Sequence, residues 1–374
     1  LNVFSDDMSL NNVLGGFTSD LTGAGEYIKS ATAFADYYAG YGWYGQLSQY
    51  GINNTEMYKL YLVNDETLEF SGAPVDVSNT PIALSSGWNW IGYTPQNPMP
   101  INEALSDLTG LTGSGEYIKG QAGFADYYAG YGWYGQLSDM QPLLGYQIYM
   151  IDDNEFTYPS SNGLSVSSHS FYNDMNNDFL LWDVNPHDYE FNGSATIEVV
   201  IDNSKINSAD YYLAAFDGDE CVGLAQSYKF PLNDLYVFGL MMYNNDEQAS
   251  LSFKLYDMNQ NQYIDLDQRL TFNSDMRLGN GLEPVIFTNT DFMPDDFKIS
   301  AAYPNPFNPT VSFDITLVEE TFVSVSVFNI SGQKIAEIHE GNLNQGINTL
   351  SWNAMGFASG IYFVNIESSN GLMA

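Results

Sequence analysis

Basic residues are scarce in this chain. Ten Lys and Arg stand against 46 Asp and Glu, a formal net charge of −36, and the ten are scattered from Lys29 to Lys334. A phosphate backbone is held by clustered cations, so nucleic acid is excluded as a partner, and adhesion to an anionic membrane is disfavoured for the same reason. Cysteine is nearly missing. Cys221 is the single one, so no intrachain disulfide can form, and domains of roughly 100 residues bury enough core to do without one. The three histidines, His169, His187 and His339, lack ligand spacing and read as surface or loop residues. No apolar run approaches bilayer-spanning length, so membrane insertion is not expected. HExxH, a P-loop, a GxGxxG after a strand and GxSxG are all missing. No signal peptide precedes Leu1, which falls inside a structural unit, so the expectation is a mature or trimmed product.

Aromatic residues, in contrast, are abundant. They make up 15% of the 374 residues, with 44% hydrophobic and only 15% charged. An acidic disordered tail would be poor in aromatics, so the chain is expected to fold, with two to four domains as the length prior.

An internal repeat occupies the first 160 residues. Phe34–Ser48 reads FADYYAGYGWYGQLS, and Phe124–Ser138 reads the same. Gly25–Lys29 and Gly115–Lys119 are both GEYIK, and Leu10–Leu14 and Tyr58–Leu62 have counterparts in Ile101–Leu105 and Tyr146–Met150. A period of about 90 residues exceeds that of thin solenoids, so each unit reads as a small domain, over 1–73 and 74–160. Within a unit, a short helix, with Ser9 as a cap in the first copy, precedes aromatic strands separated by glycine turns, an antiparallel meander with one helix. Pro81–Leu84 and Gly87–Gly92 read as a strand pair at the front of the second unit. Leu1 aligns with Ile91, so the first unit lacks those leading strands. Either the sequence is a piece of a longer array, or a neighbouring subunit supplies the strand to an open edge.

Tyr41, Trp43 and Tyr44, with their twins Tyr131, Trp133 and Tyr134, form a candidate ligand surface, since such rings stack on sugars. Cross-strand packing is the competing reading and is favoured here, because strand-period aromatics usually face a core. This region resembles tandem GWNWIG…FADYYAGYGWYG units of large surface proteins from Bacteroidota-like bacteria, which implies no catalytic residue.

Pro159–Ser168 has linker composition. From there to 290 the pattern alternates throughout, in Ala195–Ile201, Leu235–Tyr243 and Leu251–Tyr256, with Asp/Asn/Gly turns, which predicts a β-sandwich over 161–290. LAAF at Leu213–Phe216, with Glu220–Ala225 and Leu251–Asp257, resembles a sandwich module of bacterial surface proteins; Val222 stands where that family usually has Arg. Cys221 is then a half-buried strand residue. Asp257, Asn259, Asn261 and Asp265 imitate the start of a calcium loop, but Gln262 replaces its glycine and Gln268 its final acid. Asp217, Asp219 and Glu220 are a second, weaker calcium candidate. Diffuse screening of the negative charge is the competing expectation, and no other cofactor is expected.

After a Pro- and Asp-bearing hinge, Asp291–Asp296, comes Ala302–Thr310, AYPNPFNPT, whose prolines enforce extended entry. Strands over Val311–Ile315, Val323–Phe328, Lys334–Ile338, Gly346–Trp352 and Ser359–Val364 make a compact Ig-like sandwich over 291–374. The set YPNPFNPT, the strand-turn at Val325–Gly332, the Gly346–Trp352 segment and ASGIYFV at Ala358–Val364 resembles the C-terminal sorting domain of type IX secretion cargo. The resemblance implies passage through the outer membrane by the type IX machinery and an extracellular or cell-surface location. Such domains end in a further strand, which is expected to be missing after Gly371–Ala374.

The expectation is therefore a mainly β chain of tandem small α+β repeat units followed by two Ig-like β-sandwiches. It is read as a non-enzymatic structural or adhesive surface protein, self-associating or joined to other surface proteins, with strand complementation as the sharper form. A polysaccharide-binding module array is the alternative. A hydrolase with paired carboxylates is the third reading, disfavoured because no acid pair stands in a pattern that predicts a cleft.

Overall fold

Two turns of chain chemistry recur in each repeat and set its architecture: a short apolar helix, and a glycine hairpin between aromatic strands. The computed structural model describes residues 1–17, 21–160, 182–202, 204–289 and 298–368, apart from 301, 304, 306, 308 and 319. Among the described residues the chain is mainly β, with 49% strand, 6% helix and no closed barrel. It divides into two compact units, Leu1–Phe179 and Leu180–Ala374.

The first unit holds both repeats. In the first, β1 (Val3–Phe4) precedes α1 (Leu10–Val13), β2 (Tyr27–Lys29), β3 (Phe34–Tyr38), β4 (Gly42–Gly45), α2 (Leu47–Tyr50), β5 (Lys59–Tyr61) and β6 (Ala73–Pro74). Helical spacing puts Leu10, Val13 and Leu14 on one side, and all three are buried. Ser9 does not cap α1 through its side chain; its carbonyl accepts from the Asn12 and Val13 amides instead. The sheet order is β4-β3-β2-β5. Period-two alternation sends Ile28, Ala35 and Trp43 into a core with Leu10, Val13 and Leu47.

The second repeat contributes β7 (Ile82–Leu84), β8 (Gly87–Gly92), β9 (Met99–Pro100), α3 (Ile101–Ala104), β10 (Tyr117–Lys119), β11 (Phe124–Tyr128), β12 (Gly132–Gly135), β13 (Asp139–Met140), β14 (Gly145–Met150) and β15 (Asn154–Phe156). Its sheet has five strands, β12-β11-β10-β14-β8. The expected front strands both form, but not as a pair: β7 joins β15 and β8 joins β14. Gly87, at φ +97°, lets the chain swing from one sheet to the other. The expectation of one helix per repeat also needs correction. Leu47–Tyr50 is helical and ends on Gly51 at φ +73°, where a Cβ would lie 2.5 Å from the Met8 carbonyl. The second copy has Asp139 and Met140 there, and they pair with β9.

In the second unit, strands Phe191–Ile201 and Tyr236–Asn244 pair antiparallel, and Val285–Thr288 runs parallel to the first of them. A facing sheet has the order Glu220–Gln226, Tyr211–Asp217, Ser250–Asp257, Gln262–Thr271. Between them lies a core that includes Ile197, Val199, Phe238, Leu240, Phe253 and Leu255, as expected of a sandwich. Toward the C-terminus, Lys298–Ile299, Thr310–Leu317 and Gly346–Asn353 form one three-stranded sheet; Lys334–Leu343, Thr321–Asn329 and Tyr362–Ser368 form another. Phe313, Ile315, Val323, Val325 and Ile366 are buried in one cluster. Most of the Pro159–Ser168 segment, His169, Asp291–Asp296 and Gly371–Ala374 lie outside the described residues.

Candidate functional site: the aromatic face of the repeats

The glycine hairpin dictates the local geometry. Gly40 and Gly42 adopt φ +77° and +97°, conformations that favour glycine. At Gly42 there is a second reason: a Cβ would sit 2.5 Å from Asn11 Oδ1, and 2.4 Å from Asn102 Oδ1 at Gly132. Those asparagines clamp the strand that follows. The Trp43 amide donates to Asn11 Oδ1 at 2.7 Å, and Asn11 Nδ2 donates to the Trp43 carbonyl at 3.1 Å. In the second repeat the Trp133 amide and carbonyl engage Asn102 at 2.7 and 3.0 Å. A side-chain amide thus satisfies a sheet edge as a neighbouring strand would.

The clamp and the register separate the aromatics into two faces. Tyr37 is paired with Trp43 and Tyr127 with Trp133, each ring pair at 5.3 Å. Trp43 and Trp133 are buried, at 2% and 3% exposure. They are core residues, in keeping with the favoured packing reading, and this removes them from the candidate ligand surface. Tyr41 and Tyr131 project from the hairpin tips and are exposed. Tyr44 is exposed, Tyr134 half-buried; they pack against Tyr38 and Tyr128 at 6.3 and 6.4 Å.

Of the other face, Tyr44 and Tyr134 were among the candidates, but the face as a whole was not separated from the core aromatics. Register places Tyr27, Lys29, Phe34, Asp36, Tyr38, Tyr44, Lys59 and Tyr61 on it, along with Tyr117, Lys119, Phe124, Asp126, Tyr128, Tyr134 and Tyr149 in the second copy. Counting parity from Ala35 and Ile28, the small and aliphatic core positions, would have found it. The two copies differ sharply here. Phe34 is 52% exposed and Phe124 2%; Tyr38 is 52% exposed and Tyr128 7%. Trp88 on β8 sits edge-on to Tyr117 and Tyr149 at 6.0 and 5.4 Å, with Lys119 Nζ 5.7 Å from its ring centroid. The two faces meet where Lys59 Nζ lies 5.3 Å from the Trp90 ring.

A buried carboxylate secures the loop before each face. Glu26 Oε1 accepts from the Thr22 amide at 2.8 Å and from the Thr22 hydroxyl at 2.5 Å; Glu116 Oε1 accepts likewise from Thr112 at 2.6 and 3.0 Å. Burial pushes both carboxyls up, but the hydrogen bonds together outweigh it and hold them below their ordinary value.

The calcium expectation is not supported. Asp217 Oδ2 accepts from Asn244 Nδ2 at 2.9 Å and Glu220 Oε1 from the Tyr189 hydroxyl at 2.6 Å. Among the described residues no group of three or more His, Cys, Asp or Glu side chains could hold a metal ion, so Asp217, Asp219 and Glu220 do not converge on one. Asp257 Oδ1 accepts from the Asn259 and Gln260 amides at 2.8 and 3.1 Å, an Asx-type hairpin turn. Burial pushes the Cys221 thiol up to about 11, which keeps it protonated and unreactive near neutral pH. His187 is exposed. His339 lies within a strand, opposite Val325, rather than in a loop, and is half-buried with Nε2 closed off from solvent.

Beyond the sandwich, the Tyr303 hydroxyl donates to Asp314 at 3.0 Å and Thr349 Oγ1 does so at 2.6 Å. Burial raises the Asp314 carboxyl despite these two bonds. Tyr303, from the proline-rich entry, is thereby tied to two strands of one sheet.

Residues 301–374 match the family described as the secretion system C-terminal sorting domain. The chain therefore carries the tail of a type IX secretion cargo protein, a tail that engages the export machinery and directs passage to the cell surface or extracellular space. No curated protein and no solved structure matches the chain. Among the described residues no helix is long and apolar enough to cross a membrane.

Proposed function

We propose that the chain is a non-enzymatic structural or adhesive protein of the cell surface, in which the repeats make the contacts and the sorting tail secures export. The observation that carries this reading is the open aromatic face of the first repeat, whose duplicate in the same chain is covered. A broad apolar face of this kind is the usual mark of an interaction surface. The buried carboxylates support a non-catalytic reading: Glu26 and Glu116 each engage a loop threonine through Oε1, and Asp314 is bonded by Tyr303 and Thr349, contacts that tie loops and strands together. The test is expression of the chain in a type IX-competent host, with surface labelling and a cell-adhesion or aggregation assay. Surface display with adhesion that is lost when Phe34, Tyr38 and Tyr44 are all changed to Ala is the expected result; undiminished adhesion by that variant overturns the reading.

A second reading is favoured by the exposed rings of Tyr38, Tyr41 and Tyr44, with Asp36 beside them on the sheet: a glycan platform, on which sugar rings stack and polar edges bond the hydroxyls. A polysaccharide pull-down decides it. Retention on a neutral polysaccharide that falls with Tyr44→Ala supports it, and no retention rules it out.

A further inference from the structure

The four motifs that mark the sorting domain meet at one end of it, around a tryptophan. Trp352, from the Gly346–Trp352 segment, is buried. Its ring lies 5.8 Å from Phe307 of the proline-rich entry and 5.0 Å from Tyr362 of the Ala358–Val364 segment. It shares a buried cluster with Val327 of the strand-turn. The Ala354 amide donates to the Pro309 carbonyl at 2.8 Å, and the Tyr362 hydroxyl donates to the Ala358 carbonyl. Around this packed centre apolar side chains stand in solvent. Ile330 and Met355 are each 75% exposed, and Ile361 is 69% exposed. Asn329 pairs with Tyr362, which brings Ile330 and Ile361 to the same end of two adjacent strands. The Met355 amide donates to Asn353 Oδ1 at 2.8 Å. Gly356, at φ +91°, then turns the chain so that Phe357 folds back to 5.5 Å from the Trp352 ring and Met355 stays outside. Ile330 and Met355 stand on loops whose flanking strands are complete within the described residues.

We propose that this end of the sorting domain, rimmed by Ile330, Met355 and Ile361, is the surface held by the export machinery, through an apolar and uncharged groove on the machinery's side. Exposed apolar residues scattered singly need no explanation, but grouped in one place they mark an interaction site. Charge points to the same chemistry. The stretches that carry these residues, 301–313, 328–336 and 352–365, contain no Asp or Glu and one Lys, in a chain with 46 acids. That Lys, Lys334, is already paired with Glu337 at 2.6 Å. Glu340 and Glu367, by contrast, stand opposite Ser324, toward the other end of the same sheet. An apolar contact is non-directional and so is indifferent to the acidity of the rest of the chain. The tail engages the export machinery, and the motifs by which it resembles a sorting domain converge on this one place. The inference goes beyond the adhesive reading and does not rest on it, since adhesion is assigned to the repeats.

The test expresses the full chain in a type IX-competent host and measures the amount exported, by surface labelling and by immunoblot of the medium. The double variant Ile330→Ser, Ile361→Ser should be exported about tenfold less or worse, the worth of losing one apolar side chain or more from a contact, and should accumulate in the periplasm with an unchanged thermal midpoint. Phe322→Ser, which removes an exposed apolar residue at the opposite end of the same strand, should leave export intact. A second readout holds even if the double variant fails to fold. A photo-crosslinking amino acid introduced at Met355 should join the chain to a component of the export machinery identified by mass spectrometry, and the same probe at Phe322 should not. Undiminished export of the folded double variant, an equal loss with Phe322→Ser, or a Met355 probe that reaches a second copy of the chain or nothing would each overturn the proposal. Adhesion is scored separately on purified chain applied to cells, so a failure of the adhesive reading and a failure of this inference are read apart.

Discussion

Fifteen identical residues, Phe34–Ser48 and Phe124–Ser138, fold into the same two strands and hairpin but meet different surroundings. On the core side they behave alike: Ala35 and Ala125, Trp43 and Trp133 are all buried. On the opposite side Phe34 and Tyr38 stay open where Phe124 and Tyr128 are closed. Local sequence thus decides conformation and which side chains share a face. Surroundings that the motif itself does not encode decide whether that face is an interior or a surface.

The largest expected effect bears on the shared side. Trp43→Ala and Trp133→Ala should each cost about 3–5 kcal/mol, the range for truncating a buried large aromatic, as read by denaturant unfolding with separate probes in each repeat. A cost much lower in one repeat than the other would show that the two cores are not equivalent. Next comes the side on which the copies differ. Phe124→Ala should cost about 3 kcal/mol or more, but Phe34→Ala only about 1 kcal/mol, in proportion to the area it buries. Equal costs would mean that the first face is covered in solution. A smaller effect is expected from the clamps. Asn11→Ala and Asn102→Ala each leave one amide and one carbonyl of a tryptophan unpaired, about 2 kcal/mol in a partly buried setting, and similar in both repeats.

Smallest is the response to acid. Glu26 and Glu116 are held below the ordinary 4.5 by their hydrogen bonds. A lowered folded-state value contributes stability above the unfolded-state value, and that contribution is lost as pH falls through the folded-state value. The thermal midpoint of the repeats should therefore drop below pH 4.5, and the Glu26→Gln, Glu116→Gln double variant should show a shallower drop. Asp314 has the opposite sign. Its carboxyl is raised by burial, so protonation through its folded-state value relieves a cost and offsets part of the acid loss, and Asp314→Asn should remove that gain and make the C-terminal sheets slightly more sensitive to acid.

Much of this was legible beforehand. The alternation of Val323–Phe328 and the glycine turns marked strands that the structure contains, and YPNPFNPT pointed to the sorting domain that the family match bears out. Other features were legible only in part. Trp43 and Tyr44 are adjacent in sequence, so composition grouped them as one aromatic surface, but period two sends them to opposite faces. Gln46–Ser48 and Gln136–Ser138 are identical, yet the chain beyond them turns into α2 in one copy and β13 in the other, because Gly51 can end a helix where Gln141 stands in the second copy. Asp217 and Glu220 stand opposite each other across their hairpin, but each accepts from a partner far off in sequence, Asn244 and Tyr189, which the spacing of the acids could not show.

By itself the sequence determined what is short-range: which segments extend, where glycine must turn, which residues alternate to one face, and that the chain carries an export tail. Pairing partners, the clamp of Asn11 on Trp43, and the contrast between a covered and an open copy of one motif were decided by tertiary structure. Backbone preference acts over a few residues, while burial depends on strands that can lie tens of residues away.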